Sequence, residues 1–263
     1  MTTVTSRDGT TIAYNEQGEG PALILVDGAL ITSSSGSKND LADLLGAHFR
    51  VYRYDRRGRG DSGDTLPYKV QREIEDLDAL VDHAGGEAFV YGHSSGACLA
   101  LEAAMVLGDK VAGLALYEAP YNDDPAVQKA WGDYIGQLTG ALAENRRGDA
   151  VALFMSYVGT PAEQVAEMRQ APFWSSLEAI APTLAYDHAE IVGPTGAVPT
   201  ARLASVLVPT LVMCGASSYP FMAVTARTIT EALPRSEFLA LEGQTHEVRP
   251  EALAPALIEY LRA

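Results

Sequence analysis

Apolar runs of strand length alternate with amphipathic stretches along the first half of the chain. The runs Ala22–Val26 and Val111–Tyr117 are continuously apolar, which is typical of strands buried on both faces. From Tyr68 to His83 apolar residues recur every three or four positions and predict an amphipathic helix. This alternation predicts an α/β fold, a mostly parallel central sheet flanked by helices. Further strands are predicted at Val4–Ser6, Thr10–Tyr14, Phe49–Tyr54, Ala88–Tyr91, Thr210–Cys214 and Glu237–Leu241, and further helices near Asn39–Gly46, Ala97–Leu107, Phe221–Leu233 and Pro250–Leu261.

The alternation stops between about Asn122 and Leu203. Helix-forming residues dominate there and are interrupted by six prolines. We therefore expect a helical cap, residues 122–203, inserted into one α/β core domain made of residues 1–121 and 204–263.

The pentapeptide Gly92-His93-Ser94-Ser95-Gly96 joins a predicted buried strand directly to a predicted helix. A Gly-x-Ser-x-Gly sequence in this position predicts a nucleophile elbow, a sharp turn that exposes the serine hydroxyl at the strand end. Ser94 is then the nucleophile, and the Ser95 amide at the helix N-terminus is one oxyanion donor. The alternative is that Ser94 only caps the helix.

A serine nucleophile needs a histidine base, and the sequence contains five histidines. His246 follows the last predicted strand and completes the chain order Ser…acid…His that this kind of site requires. The other four are less suitably placed: His48 precedes a strand, His83 ends a helix, His188 lies in the cap, and the ring of His93 is expected to point away from Ser94.

The acid of the triad is harder to assign. In the hydrolases that these motifs resemble, the acid most often follows the strand predicted here at Thr210–Cys214, but Gly215–Tyr219 contains no carboxylate. Glu118, at the end of the preceding strand, is the next-best candidate to orient His246. Three carboxylates in loops or the cap remain as rivals, namely Asp123, Asp124 and Asp187.

The loop after Ala22–Val26 is expected to supply the second oxyanion donor, from the amide of Gly28 or of Ala29. Asp27 precedes them at the floor of the predicted pocket. Its carboxylate would suit a substrate hydroxyl, and a turn-forming role is the equal alternative.

Composition narrows the classes of function. The chain has 263 residues, 47% of them hydrophobic, and a formal net charge of −15. The electrostatic field of so negative a protein repels polyanions, so nucleic acid is not an expected partner. We expect a cytoplasmic protein, because no leader pattern and no apolar run of membrane-spanning length is present. Cys98 and Cys214 lack the spacing of a metal or redox site and are expected in the core.

These motifs together resemble the α/β-hydrolase superfamily over nearly the whole chain. The loop Tyr54–Gly63 is similar to the family's D-x-R-G-x-G-x-S turn. Within the superfamily the chain is most similar to zearalenone-type lactone hydrolases and related bacterial serine esterases, which have a D-G pair in the oxyanion loop, an S-S-G-A elbow and a catalytic glutamate where Glu118 stands. The resemblance also implies a substrate-packing role for Trp174.

The sequence therefore predicts a serine hydrolase acting on a small apolar carboxylic ester or lactone. No metal or organic cofactor is implied, and neither a phosphate loop nor a metal-ligand motif is visible. The alternatives are a lyase, acyltransferase or cyclase that uses the same triad, and a ligand receptor without turnover. A homodimer is left open.

Overall fold

An eight-stranded, mostly parallel sheet forms the centre of the molecule. The computed structural model describes residues 2–34 and 37–262. Within these residues the strands are β1 Thr2–Thr5, β2 Thr11–Gln17, β3 Ala22–Val26, β4 Arg50–Tyr54, β5 Ala88–His93, β6 Val111–Tyr117, β7 Thr210–Gly215 and β8 Ser236–Leu241. Their order is β1-β2-β4-β3-β5-β6-β7-β8, and only the pairs β1–β2 and β2–β4 are antiparallel. The α/β-hydrolase fold expected from the sequence is confirmed.

The order of the strands positions the site. From β3 the chain moves to one side to form β4 and then returns to the other side of β3 to form β5. The loops that follow β3 and β5 therefore lie next to each other at the carboxyl edge of the sheet. Ligands bind at such a reversal in open α/β sheets.

Helices cover both faces of the sheet. Outside the connection between β6 and β7, the described α-helices are α1 Ser37–Leu45, α2 Val70–Ala84, α3 Ser95–Leu107, α10 Pro220–Ala232 and α11 Pro250–Leu261. Alternate residues of β3 explain the two layers: Leu23 and Leu25 pack in the cluster with α1 and α11, whereas Ile24 and Val26 pack in the cluster with α2 and α3. A strand buried on both faces has to be apolar at every position, which accounts for the uninterrupted run in the sequence.

The connection between β6 and β7 is helical, and residues 122–203 within it are called the helical segment below. It contains α4 Pro125–Ala143, α5 Arg147–Tyr157, α6 Ala162–Met168, α7 Trp174–Ile180, α8 Thr183–Ala185, a π-helix at Tyr186–Val192 and α9 Thr200–Leu203. Its two ends are tied together, because the Asn122 amide donates to Gly196 O at 2.8 Å and the Val198 amide donates to Asp123 Oδ1 at 3.0 Å. The bounds expected for the cap, residues 122–203, stay a prediction. Met1, Ser35, Gly36 and Ala263, which fall within the predicted core bounds, lie outside the described residues.

Three further points concern the described part of the chain. Cys98 and Cys214 are buried free thiols, as expected. None of the described helices combines the length and the apolar character that crossing a membrane requires. The loop at Tyr54–Gly63 is held together by Asp55, which accepts from the amides of Ser33 and Asp61.

Candidate active site

Ser94 lies at the turn between β5 and α3. Its backbone has φ 56° and ψ −129°, a region that non-glycine residues seldom occupy. The turn is tight: a Cβ added to Gly92 would collide with the first turn of α3, and one added to Gly96 would collide with the backbone of Val26 and Asp27. Both glycines of the motif are therefore required by close approach of the backbone. This is the geometry of the predicted nucleophile elbow.

Glu118 and His246 form a hydrogen-bonded pair beside the elbow. His246 Nδ1 lies 2.7 Å from Glu118 Oε2, and the Glu118 side chain is fully buried. The Ser94 amide donates to Tyr117 O at 2.9 Å, which places the elbow next to the residue before Glu118. A buried carboxylate on Nδ1 fixes the ring so that Nε2 can serve as the base. The three residues predicted for the triad thus lie at one edge of the sheet.

The loop after β7, which has no carboxylate of its own, provides hydrogen-bond donors for Glu118 instead. The Gly215 amide donates to Glu118 Oε1 at 2.8 Å, and Ser218 Oγ donates to Glu118 Oε2 at 2.9 Å. Sequence reasoning identified this position as vacant but did not identify Ser218. The signal that could have found it is a small hydroxyl residue where an acid usually stands.

Two further side chains hold the loop that carries His246. His93 Nε2 donates to His246 O at 3.0 Å, and Tyr117 Oη donates to Thr245 O at 2.6 Å. The rings of His93 and His246 have centroids 5.0 Å apart. His93 therefore has a bracing role, which the sequence did not reveal.

Within the described residues Ser94 Oγ has no hydrogen-bond partner, and it is partly exposed. Catalytic hydrogen bonds are often long in unliganded enzymes and shorten in the reacting complex. The structure thus presents an unpaired Ser94 hydroxyl at the edge of the sheet that also carries the oriented His246.

Gly28 lies against Ser94. A Cβ added to Gly28 would lie 3.0 Å from Ser94 Cβ and 3.5 Å from Ser94 Oγ, so a side chain there would crowd the Ser94 hydroxyl. Two buried arginines bind the backbone carbonyls of Asp27 and Gly28. Arg56 Nη1 donates to Asp27 O at 3.0 Å, and Arg59 Nη1 donates to Gly28 O at 2.6 Å. The predicted oxyanion loop therefore lies beside Ser94. The role predicted for the Asp27 carboxylate stays a prediction.

The same arginines meet Asp187 of the helical segment. Asp187 Oδ1 accepts from Arg56 Nη1 at 2.6 Å and from Ser95 Oγ at 2.8 Å, and Asp187 Oδ2 accepts from Arg59 Nη2. Glu73 binds the other side of Arg56 with both oxygens, at 2.7 and 2.8 Å. Burial alone would raise the pKa of Asp187, but the two guanidinium groups outweigh it and hold that pKa below its usual value.

The three rival carboxylates have other partners. Asp187 belongs to the buried arginine cluster, Asp123 accepts from the Val198 amide, and Asp124 caps α4 by accepting from the Ala126 amide at 2.7 Å. Only Glu118 among the four candidates bonds to His246.

Trp174 packs within the helical segment. It is 6% exposed, its indole nitrogen faces Gly148, and the guanidinium of Arg169 lies 5.7 Å from the ring centroid. These contacts account for its burial, and the substrate-packing role stays a prediction. The described residues contain no group of three or more side chains arranged to hold a metal ion.

Comparison with known proteins agrees with this geometry. The matched segment of N-formylmaleamate deformylase from Pseudomonas putida is 37% identical over 106 residues, which span 39% of this chain and 39% of that protein, so only about two fifths of either is matched. An alpha/beta hydrolase from Sphaerobacter thermophilus has a solved structure with a TM-score of 0.85 and 49% identity, covering 98% of this chain and 99% of its own.

The enol-lactonase from Burkholderia xenovorans has the same fold, with a TM-score of 0.71 and 21% identity over 100% of both chains. The model of the alpha/beta hydrolase family matches residues 32–256, which include the elbow, Glu118 and His246. With the strand order and the elbow, this match shows that the chain belongs to the alpha/beta hydrolase family.

Proposed function

We propose that the protein is a serine hydrolase that cleaves an apolar carboxylic ester or lactone through an acyl-enzyme. The observation that carries this proposal is the buried Glu118 carboxylate, 2.7 Å from Nδ1 of His246, beside a serine on a strained strand-to-helix turn. Such an arrangement activates a hydroxyl at neutral pH. A carboxylate at the position of Ser94 would instead favour a dehalogenase or an epoxide hydrolase.

In the proposed reaction Ser94 Oγ attacks the carbonyl carbon and His246 Nε2 takes the hydroxyl proton. The carbonyl oxygen becomes an oxyanion, which accepts hydrogen bonds from the Ser95 amide and from the amide of Gly28 or Ala29. The carbon–oxygen bond to the leaving group then breaks, and His246 returns the proton to the departing alkoxide. Water, deprotonated by His246, hydrolyses the acyl-enzyme and restores Ser94.

Two features support an uncharged, apolar substrate. The buried cluster that contacts the loop after β3 holds two arginines and two carboxylates, Glu73 and Asp187. The formal charge of these four side chains is zero, so together they offer no net attraction to an anion. His188, which follows Asp187, contacts Tyr134. The ring of Tyr134 in turn stacks on that of Tyr157, with centroids 4.5 Å apart, and Tyr157 is exposed to solvent. Aromatic walls of this kind suit apolar acyl or alkyl groups.

The test is hydrolysis of a panel of p-nitrophenyl esters and ring lactones, with Ser94→Ala as control. We expect turnover by the wild type, none by the folded variant, and covalent labelling by a fluorophosphonate at Ser94 only in the wild type. Labelling that survives Ser94→Ala would contradict the nucleophile assignment. Product analysis of the same reactions distinguishes hydrolysis from lyase, acyltransferase or cyclase chemistry, and a wild type that binds but never turns over would be a receptor.

A second candidate, hydrolysis of an N-formyl amide, is favoured by the similarity to N-formylmaleamate deformylase. The triad could form a formyl-enzyme by the same steps, with an amide as the leaving group. Formate release from N-formylmaleamate, measured beside the ester panel, decides between the two candidates.

A further inference from the structure

The two peptide groups that can supply the second oxyanion donor are each fixed by a buried arginine. Arg56 binds Asp27 O and Arg59 binds Gly28 O. In a planar trans peptide the carbonyl and the next amide N–H point in opposite directions. Arg56 therefore sets the direction of the Gly28 N–H, and Arg59 sets that of the Ala29 N–H.

Neither amide donates to another group among the described residues, so both are available to a developing oxyanion. An oxyanion donor is effective only when it is held in place before the reaction. Gly28 has no side chain that could anchor its own peptide group, so the bond from Arg59 to Gly28 O contributes directly to fixing that peptide.

Asp187 connects these arginines to Ser95, whose amide is the other expected oxyanion donor. One carboxylate oxygen accepts from Arg56 and from Ser95 Oγ, and the other accepts from Arg59. All four side chains are at most 1% exposed, so water does not compete for these bonds. Asp187 therefore contacts, directly or through one arginine, every peptide that is expected to bind the oxyanion.

We propose that Asp187 is a positioning residue that preorganises the oxyanion hole from the helical segment. It acts through Arg56 and Arg59 on the loop after β3 and through Ser95 on the first turn of α3. This inference rests on the proposed function, since it needs an oxyanion formed by attack of Ser94. It assigns to the helical segment a part in catalysis that is separate from binding the substrate.

The test compares Asp187→Asn with Asp76→Asn as a matched control. Asp76 is equally buried and binds a single arginine, Arg57, with both carboxylate oxygens, at 2.7 and 3.0 Å. Arg57 contacts α2 and the β1–β2 turn and not the oxyanion loop. Both variants lose one buried carboxylate charge beside an arginine. Only the first should change the oxyanion hole.

The two readouts are steady-state kinetics on p-nitrophenyl acetate and fluorine NMR of the adduct with phenyl trifluoromethyl ketone. The ketone forms a hemiketal with Ser94, whose oxygen mimics the oxyanion. For Asp187→Asn we expect kcat to fall about 10- to 100-fold with KM changed less than about twofold, because misplaced donors act mainly on the transition state. We also expect the hemiketal to ionise at higher pH than in the wild type, whereas Asp76→Asn should leave kcat and the hemiketal titration unchanged.

Three results would overturn the inference. The first is an Asp187→Asn protein with wild-type kcat and hemiketal titration, and the second is an equal change in Asp76→Asn. If Asp187→Asn does not fold, Arg59→Lys is tested in its place, because a single ammonium cannot reach Gly28 O and Asp187 in the geometry of the guanidinium. We expect Arg59→Lys to lower kcat about 10-fold. The third overturning result is an Arg59→Lys protein with unchanged kcat. A wild type that forms no hemiketal would overturn the proposed function itself.

Discussion

At the scale of single residues, Glu118 combines a strained backbone with a fully satisfied side chain. Its φ of 49° lies in the left-handed region, which costs a non-glycine residue on the order of 1 kcal/mol. The carboxylate in return accepts from the Gly215 amide, Ser218 Oγ and His246 Nδ1. The strained backbone places this carboxylate, directly after β6, among donors from the β7 loop. The proposed triad acid is therefore one strand away from the position expected for it.

We expect Glu118→Gln to lower kcat about 10⁴-fold with little change in KM, because a glutamine amide no longer favours the His246 tautomer with a proton on Nδ1. Steady-state hydrolysis of p-nitrophenyl acetate measures the loss. Asp124→Asn is the control, since Asn is also a good helix N-cap and Asp124 caps α4. A Glu118→Gln enzyme within a few-fold of the wild type, or a similar collapse in Asp124→Asn, would show that the acid lies elsewhere.

His188 predicts a pH dependence of stability. Its Nδ1 lies 2.8 Å from Tyr134 Oη, and burial lowers its pKa to about 4, an effect that the neighbouring Asp187 only partly offsets. The unfolded chain, with a histidine pKa of about 6.5, therefore binds more protons than the folded protein between about pH 4 and pH 6.5. Stability due to His188 is present above this window and is lost as the pH falls through it.

We expect the difference in free energy of unfolding between the wild type and His188→Asn to shrink by up to about 3 kcal/mol from pH 7 to pH 4. Urea unfolding at several pH values measures it, and asparagine retains a polar partner for Tyr134. Because other titrating groups are common to both proteins, their contributions cancel. If the difference in free energy of unfolding between the two proteins stays constant with pH, His188 is protonated to the same extent in the folded and unfolded states.

At the scale of elements, the π-helix Tyr186–Val192 ties the helical segment to the core. Tyr186 stacks on Tyr68 with centroids 3.7 Å apart, Asp187 enters the arginine cluster, and His188 meets Tyr134. Three consecutive residues thus face three different environments. π-Helical turns are rare and often occur at functional sites, and here the wide turn places Asp187 beside Ser95.

The strands and the long core helices were predictable, but the interior of the helical segment was not. Val111–Tyr117 and Pro250–Leu261 were predicted with the bounds they have in the structure, because a buried strand and a proline-initiated helix have local signals. In α5 apolar residues occur on every side, and no local rule specifies a π-helix, since long-range contacts hold it. Only the existence of a helical insertion could be predicted there.

Some residues of the candidate site were predictable from the sequence and others were not. Ser94 and His246 follow from motif and chain order, and Glu118 follows from the absence of an acid after β7. Asp187 was considered only as a rival acid. Its contact with Ser95, and the contact of Ser218 with Glu118, could not be predicted, because the partners lie about 90 or more positions away in the sequence. Serine and aspartate have many ordinary surface roles, so neither stands out without the fold.

Trp174 of α7 allows a test of packing against substrate contact. We expect Trp174→Ala to lower the free energy of unfolding by about 3 kcal/mol, because the ring is buried between Gly148 and Arg169. The resemblance to lactone hydrolases predicts in addition a 5- to 150-fold selective loss of kcat/KM for a bulky ester relative to p-nitrophenyl acetate, about 1 to 3 kcal/mol. Thermal unfolding and the two kinetic assays separate these effects. Equal kinetic changes for both esters would leave Trp174 with its packing role alone.

At the scale of the whole molecule, the net charge of −15 surrounds a site whose nearest buried cluster is neutral. The negative field of the molecule therefore repels an anionic substrate before it reaches the site, and the neutral arginine–carboxylate cluster does not offset this repulsion. Salt screens such a field over about 8 Å at physiological ionic strength.

We expect kcat/KM for an ester that carries a carboxylate to rise about 2- to 5-fold between 20 mM and 500 mM salt, because screening weakens the repulsion. For a neutral ester of the same size it should change less than about 1.5-fold, which serves as the control for general salt effects. Hydrolysis of the matched pair over the salt series measures both. A fall for the anionic ester would indicate a local cation at the site and would favour an acidic substrate.

The arginine cluster also limits how the protein can be engineered. Exchange of residues 122–203 for the corresponding insertion of another family member is an obvious route to new specificity, because the two ends of the segment lie together. A donor segment without an acid at the position of Asp187 would leave two buried arginines facing Glu73 alone, a net charge of +1 in the interior. Breaking a buried ion pair in this way typically costs 3 to 5 kcal/mol, so a chimera has to retain this aspartate, or remove Arg59 with it, before its new pocket can be judged.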